Sequence, residues 1–95
     1  MTAIDDIVAE RRRQIEQEGW TPEHDDGHST GDLAKLACMY AVPREGKVYE
    51  EMIGVWGDVC DWVKRKDTRR NLVIAGALIV AEIERLDRAA AQKAA

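Results

Sequence analysis

The feature that most constrains the fold of this chain is an apolar helical pattern near its C-terminal end. Small and aliphatic residues follow the a and d positions of a heptad at Leu72, Gly76, Ile79, Ile83 and Leu86. Residues 72–81 are apolar almost all round the predicted helix. One face of the helix can pack against the domain core, and another apolar face must then pack against something else. We therefore expect a long apolar C-terminal helix and a homo-oligomer formed through Leu72–Leu86. Gly76 lets another helix approach closely, and that helix belongs either to a second subunit or to the same chain.

Two shorter helices are predicted in the first half of the chain. The first covers Ala3–Glu18 and begins with a capping box formed by Thr2 and Asp5. The second covers Thr30–Ala41 and begins at the capping residue Ser29. Both segments carry apolar residues at helical spacing, so each is expected to bury one face.

An irregular or broken helix is predicted across Tyr49–Val63, because Gly54 and Gly57 lower its helix propensity. Trp56 and Trp62 are interpreted as packing anchors, with a pocket-lining role as the open alternative. The whole chain is thus predicted to be all-α, a small single domain of three to four helices. The domain is expected to span residues 1–88, followed by a flexible alanine-rich tail over 89–95.

Composition narrows the classes of function. The 95 residues carry a net charge of -4, which argues against direct binding of nucleic-acid phosphates. Cys38 and Cys60 lack Cys-x-x-Cys spacing and lie in apolar patterns, as is typical of buried thiols in a reducing compartment. Asp5 and Asp6 stand where a signal peptide would be basic, and no apolar run is long enough to cross a bilayer. We expect a cytoplasmic protein with no membrane partner.

The loop between the first two predicted helices carries residues that a simple connector does not need. It holds Trp20, both histidines of the chain and several acidic groups within residues 18–28. His24 and His28 are four apart, a spacing that suits zinc when the segment is helical. Pro22 and Gly27 argue against a regular helix there, so no metal site is assigned and no cofactor is expected.

A basic run, Lys64–Asn71, ends where the C-terminal helix begins. If it shares a cleft with the loop, Trp20 can stack a base, Arg69 or Arg70 can hold a phosphate, and Asp25 or Asp26 can accept ribose hydroxyls. The alternative is that the acidic and basic clusters simply pair with each other. The candidate ligand-binding residues are Trp20, Thr21, His24, Asp25, Asp26, His28, Arg69, Arg70 and Asn71.

A catalytic alternative rests on pairs of acidic residues at helical spacing. Asp58 with Asp61, and Glu84 with Asp87, could imitate the carboxylate pairs that hold magnesium in helical nucleotide pyrophosphatases. The Glu-x-x-Glu sequence expected of such a site is absent, and acidic pairs of this kind are common on solvated helices. No catalytic residue is assigned, and we expect the protein not to be an enzyme.

Several segments of the chain together form one set of motifs: Glu10-Arg11, Arg13-Gln14-Ile15, the run from Glu18 to Asp26, Arg69 to Val73 and Ala75 to Ile79. In these segments the chain resembles a family of small phage and prophage proteins. This resemblance covers most of the chain. It implies an accessory protein of a bacterial virus that counters host defence by binding a protein or a signal molecule.

A second, sparser pattern consists of Gly19-Trp20, Asp25-Asp26, His28, Leu33 and Lys64-x-x-Asp67. In this pattern the chain is more distantly similar to the ryanodine-receptor repeat domain. Ser29 stands where that family has a proline, and residues 40–62 do not follow its pattern. The resemblance implies a ligand derived from a nucleotide.

Together these features predict a non-catalytic phage protein that binds and sequesters a nucleotide-derived signal molecule. One alternative is an acidic inhibitor that docks on a host defence complex, in the manner of an anti-CRISPR protein, by imitating phosphate. A second alternative is a metal-dependent nucleotide pyrophosphohydrolase acting through the acidic pairs.

Overall fold

The computed structural model describes residues 2–94, and every regular element within them is an α-helix. The helices are α1 (Ala3–Glu16), α2 (Pro22–Asp26), α3 (Asp32–Ala41), α4 (Lys47–Val55), α5 (Gly57–Cys60) and α6 (Thr68–Ala94). The predicted all-α class is confirmed. These residues form six helices rather than three to four, because the loop after α1 contains a short helix and the third helical pattern is divided in two.

Helix α1 begins with the predicted capping box. The hydroxyl oxygen of Thr2 accepts from the backbone N–H of Asp5 at 3.1 Å, and the Asp5 carboxylate accepts from the N–H of Thr2 at 3.1 Å. The helix ends at Glu16, two residues before the predicted end, and Gly19 then takes a left-handed backbone with φ of +74°. This turn sends the following loop back along the domain.

The beginnings of the next two helices differ from the predictions. Pro22 does not prevent a helix: it occupies the first turn of α2, where its missing N–H needs no partner, and the Thr21 hydroxyl caps the helix by accepting from His24 N–H at 3.2 Å. Ser29 does not cap α3. That helix begins at Asp32, after Gly31 with φ of +83°, and has no side-chain cap.

The predicted break in the third helical pattern is confirmed. Trp56 has φ of −120° and ψ of 38°, which is not helical, and it separates α4 from α5. Trp56 packs against the core, as predicted, whereas Trp62 follows α5 and stays 41% exposed. Cys38 is exposed and Cys60 is partly buried, so the prediction of two buried thiols is wrong.

The core lies mainly between α3 and α6. Both helices contribute aliphatic side chains that are at most 5% exposed, including Leu33, Leu36, Ile74, Leu78 and Ala81. Helix α1 packs on another side of α6, where Ile7 lies over Gly76. A Cβ atom at Gly76 would stand 2.9 Å from Cδ1 of Ile7, so the close approach that this glycine permits is to a helix of the same chain.

The heptad stripe of α6 does not face this core. Leu72, Ile79, Ile83 and Leu86 are each about half exposed, and charged residues dominate the helix beyond residue 81. Helix α6 is therefore amphipathic rather than apolar throughout. It continues as helix to Ala94, while the predicted flexibility of residues 89–95 stays a prediction, with Ala95 outside the described residues. No helix within residues 2–94 is long and apolar enough to cross a membrane.

Candidate functional site

A cleft with two adjoining lobes lies between the α1–α2 loop and the segment that joins α5 to α6. The first, the aromatic lobe, encloses about 350 Å³ between Trp20, His24, His28 and Trp62. The second, the cationic lobe, encloses about 280 Å³ and is lined by Arg13, Lys64, Lys66 and Arg70 together with Glu10 and Glu18. The two lobes share Glu18, Trp20, Trp62 and Lys64, so they are neighbouring parts of one cleft.

The aromatic lobe is built from four rings in sequence. Trp20 and His24 are parallel, with centroids 6.3 Å apart, His24 lies 4.7 Å from His28, and His28 meets the edge of Trp62 at 5.5 Å. Helix α2 makes this possible, because a single helical turn places the His24 ring alongside Trp20. The lobe thus offers flat apolar surface of the kind on which a planar ring can stack.

Carboxylates orient both imidazoles. Nδ1 of His24 lies 3.1 Å from the Asp25 carboxylate, and Nδ1 of His28 lies 3.2 Å from that of Asp32. Each contact fixes one ring nitrogen and the orientation of the ring. The two histidines therefore contribute imidazole rings of fixed orientation to the aromatic lobe.

Glu10 is the buried centre of the cationic lobe. Its side chain has no exposed surface and accepts hydrogen bonds from Arg13 at 2.8 and 2.9 Å, from Gln14 at 3.2 Å and from Arg70. Burial raises the pKa of Glu10, but the hydrogen bonds and charges of Arg13 and Arg70 outweigh it, so the net pKa is lowered. The same contact with Glu10 is the main reason that the pKa of Arg13 is raised.

Glu18 is the second carboxylate of this lobe and is held more loosely. It accepts from Nη1 of Arg13 at 3.0 Å and from Nζ of Lys64 at 3.4 Å, and a quarter of its side chain is exposed. The hydrogen bond from Arg13 lowers the pKa of Glu18. Lys66 makes no ion pair with any residue in the described range 2–94. The lobe therefore holds four cationic side chains against two carboxylates, a net positive charge.

Tyr40 supports the segment that carries these lysines. Its hydroxyl accepts a hydrogen bond from the backbone N–H of Lys64 at 2.7 Å. Burial raises the pKa of Tyr40, so the phenol is neutral at physiological pH. Asn71 holds the other end of the segment by accepting from the N–H of Lys66 at 2.7 Å and donating to its carbonyl oxygen at 3.0 Å.

The structure brings four of the nine predicted ligand-binding residues to the cleft. Trp20, His24 and His28 line the aromatic lobe, and Arg70 lines the cationic lobe. Thr21 lines neither lobe and acts as the cap of α2. The four cleft residues thus bring the α1–α2 loop and its surroundings next to the first turn of α6.

The other four predicted residues also line neither lobe. Asp25 is fully buried and pairs with Arg11 at 2.6 Å, so it cannot meet a ribose in this cleft. The remaining three belong to other parts of the fold: Asp26 pairs with Arg88, Arg69 with Asp6, and Asn71 is buried beneath Lys66. Among the described residues, the acidic and basic clusters meet at one ion pair, that of Glu18 with Nζ of Lys64 at 3.4 Å. Their ion pairs go mainly to α1 and to the far end of α6.

Trp62, Lys64 and Lys66 also line the cleft. Trp62 has the pocket-lining role given above as its alternative, whereas Lys64 and Lys66 were not predicted as site residues. The three residues alternate along a segment without helical structure, where successive side chains point to opposite sides. The intervening residues face the protein: Val63 packs against the core, and Arg65 donates to the carbonyl of Met39 at 2.9 Å. This two-residue alternation is the sequence signal for these three side chains, and an interpretation of residues 64–71 as one basic run does not contain it.

No protein-family model, curated protein or solved structure matches this chain. Within residues 2–94, no three side chains of His, Cys, Asp or Glu are grouped so that they could hold a metal ion. The described residues include the two histidines and the two acidic pairs of the catalytic alternative. The cleft, which places flat aromatic rings beside fixed positive charges, is therefore the candidate functional site.

Proposed function

We propose that the protein binds a nucleotide-derived small molecule in this cleft and sequesters it unchanged. The observation that carries the proposal is the adjacency of the two lobes, which share Trp20 and Trp62. A base stacked in the aromatic lobe would place its phosphate next to Lys64, Lys66 and Arg70. Stacking on an aromatic side chain contributes about 1–3 kcal/mol per base, and the charge-assisted bonds to phosphate add to this.

The two carboxylates of the cationic lobe favour binding over turnover. A general base works best when its pKa lies near the operating pH. The pKa values of Glu10 and Glu18 are instead lowered by their arginine contacts. Glu10 is therefore suited to holding Arg13 and Arg70 in place, and Glu18 to contacting Arg13 and Lys64. Both carboxylates are poorly suited to taking a proton from a substrate.

The biological setting that we propose is counter-defence by a bacterial virus. This setting rests on the sequence resemblance to phage proteins. A nucleotide-derived signal, the ligand class proposed for the cleft, is compatible with it. A protein that binds a nucleotide signal without destroying it must reach a concentration comparable to that of the signal.

The proposal is tested by titrating the protein with the four 5′-nucleotides and with cyclic dinucleotides, following tryptophan fluorescence. Trp62→Ala removes a partly exposed ring, and Lys66→Ala removes an ammonium without an ion pair, so neither should disturb folding. We expect each to weaken binding about tenfold or more. Lys47→Ala, an exposed lysine on α4, is the matched control and should bind like the wild type.

If the wild type binds none of these compounds, either in the fluorescence titration or in native mass spectrometry, a nucleotide site is refuted. Unchanged affinity in both Trp62→Ala and Lys66→Ala would show that ligand binds outside the cleft.

We further propose that a second copy of the chain covers the exposed stripe on α6. Leu72, Ile79, Ile83 and Leu86 keep the heptad spacing that lets two helices interdigitate, and each is about half exposed in the single chain. A helix of 27 residues spans about 40 Å, enough for several layers of such packing. The mass of the protein in solution tests this proposal.

A further inference from the structure

The two carboxylates of the cationic lobe differ in how firmly they are held. Glu10 is completely enclosed and receives hydrogen bonds from three side chains, so it is part of the fold. Glu18 lies beyond the end of α1, just before Gly19, and its side chain is a quarter exposed. Its two partners, Nη1 of Arg13 and Nζ of Lys64, are not shared with Glu10. Glu18 can therefore leave without breaking the Glu10 cluster.

Glu18 also stands where a ligand phosphate would be expected. It is one of the residues that line both lobes, so it lies between the stacking surface and the positive charge. When it turns outward, the donors of Arg13 and Lys64 become available beside Lys66 and Arg70. A phosphate oxygen accepts from such donors at least as well as a carboxylate does.

We propose that the cleft selects ligands with a dianionic phosphate, and that Glu18 occupies the phosphate position until the ligand displaces it. This inference rests on the proposed function and adds the charge class of the ligand. With Glu18 in place the lobe has two positive charges in excess, and with Glu18 displaced it has three at the ligand. A monoanion repays less of the cost of displacing Glu18 than a dianion does.

The test compares three adenine probes that share one base. AMP carries close to two phosphate charges at pH about 7.5, 3′,5′-cyclic AMP carries one, and adenosine carries none. Inorganic pyrophosphate is the fourth probe and reports on the cationic lobe alone. Each is titrated by calorimetry into the wild type, into Glu18→Gln, and into Glu16→Gln, which removes the same charge from an exposed position outside the cleft.

We expect the wild type to bind AMP more tightly than cyclic AMP, and cyclic AMP more tightly than adenosine. Glu18→Gln should tighten binding of AMP and pyrophosphate about tenfold and leave adenosine within about twofold of the wild type. Glu16→Gln should match the wild type with every probe. Thermal unfolding of each variant confirms that the native fold is compared throughout.

The results separate this inference from the proposed function. If AMP binds but Glu18→Gln binds it no more tightly, displacement of Glu18 is refuted while the nucleotide site stands. If pyrophosphate binds more tightly to Glu18→Gln and no nucleoside compound binds, the role of Glu18 stands and the nucleotide proposal fails. If Glu18→Gln tightens adenosine as much as AMP, Glu18 acts by blocking space rather than by charge, and its displacement by the phosphate is refuted. If the wild type binds cyclic AMP as tightly as AMP, the selection of a dianion is refuted.

Discussion

Replacing Asp25 with asparagine is expected to destabilise the fold much more than the same replacement at its neighbour, Asp26. The Asp25 side chain has no exposed surface and pairs at 2.6 Å with Arg11, which is itself buried. The Asp26 side chain is 43% exposed and pairs with Arg88 at 2.7 Å on the surface. The two substitutions change the chemistry identically, so the difference between them measures burial.

The magnitude follows from what each change leaves behind. Asp25→Asn leaves the buried guanidinium of Arg11 with a partly exposed carboxylate, Glu84, at 3.6 Å and the carbonyl of Trp20 at 3.2 Å. Breaking a buried ion pair costs about 3–5 kcal/mol, and the lower end applies here because asparagine keeps one acceptor. Asp26→Asn should cost at most about 1 kcal/mol, as exposed pairs do.

The assay is urea denaturation followed by circular dichroism at neutral pH. A domain of this length has a free energy of unfolding of about 5–14 kcal/mol, so a loss near 3 kcal/mol moves the midpoint far outside error. We expect equal m-values and a much lower midpoint for Asp25→Asn alone. Free energies of unfolding that agree within about 0.5 kcal/mol for the two variants would refute the assigned role of Asp25.

Three further outcomes are expected. Gly76→Leu should destabilise by about 1–3 kcal/mol because its side chain overlaps Ile7, and adding Ile7→Ala should restore much of the loss in a double-mutant cycle measured with urea. The lowered pKa of Glu10 means that its contacts stabilise the fold above the unfolded pKa of about 4.3 and are lost as the pH falls below it. Glu10→Gln should therefore show a shallower decline of stability than the wild type between about pH 6 and pH 3; parallel profiles would contradict this. The wild type should sediment as an oligomer and Ile79→Glu with Ile83→Glu as a monomer of unchanged helicity, while a monomeric wild type would show that a second copy does not cover the α6 stripe.

Local signals in the sequence were sufficient for the main helices. The capping box of Thr2 and Asp5, the apolar spacing of α3 and the glycines near Trp56 each act within a few residues along the chain. The same signals were weaker at short elements. Pro22 by itself argues against a helix, yet proline is tolerated at the first turn of a helix, which is its position in α2.

Tertiary structure alone decided which charged residues became part of the fold and which line the cleft. Asp25 and Asp26 are adjacent and chemically identical, yet packing buries one against Arg11 and leaves the other at the surface. The cleft joins Trp20 to Trp62 and Lys64, more than 40 residues later, and no local pattern encodes that meeting. The spacing of apolar residues in the sequence predicts which side of a helix is apolar. The burial of a polar group depends instead on which distant element packs over it.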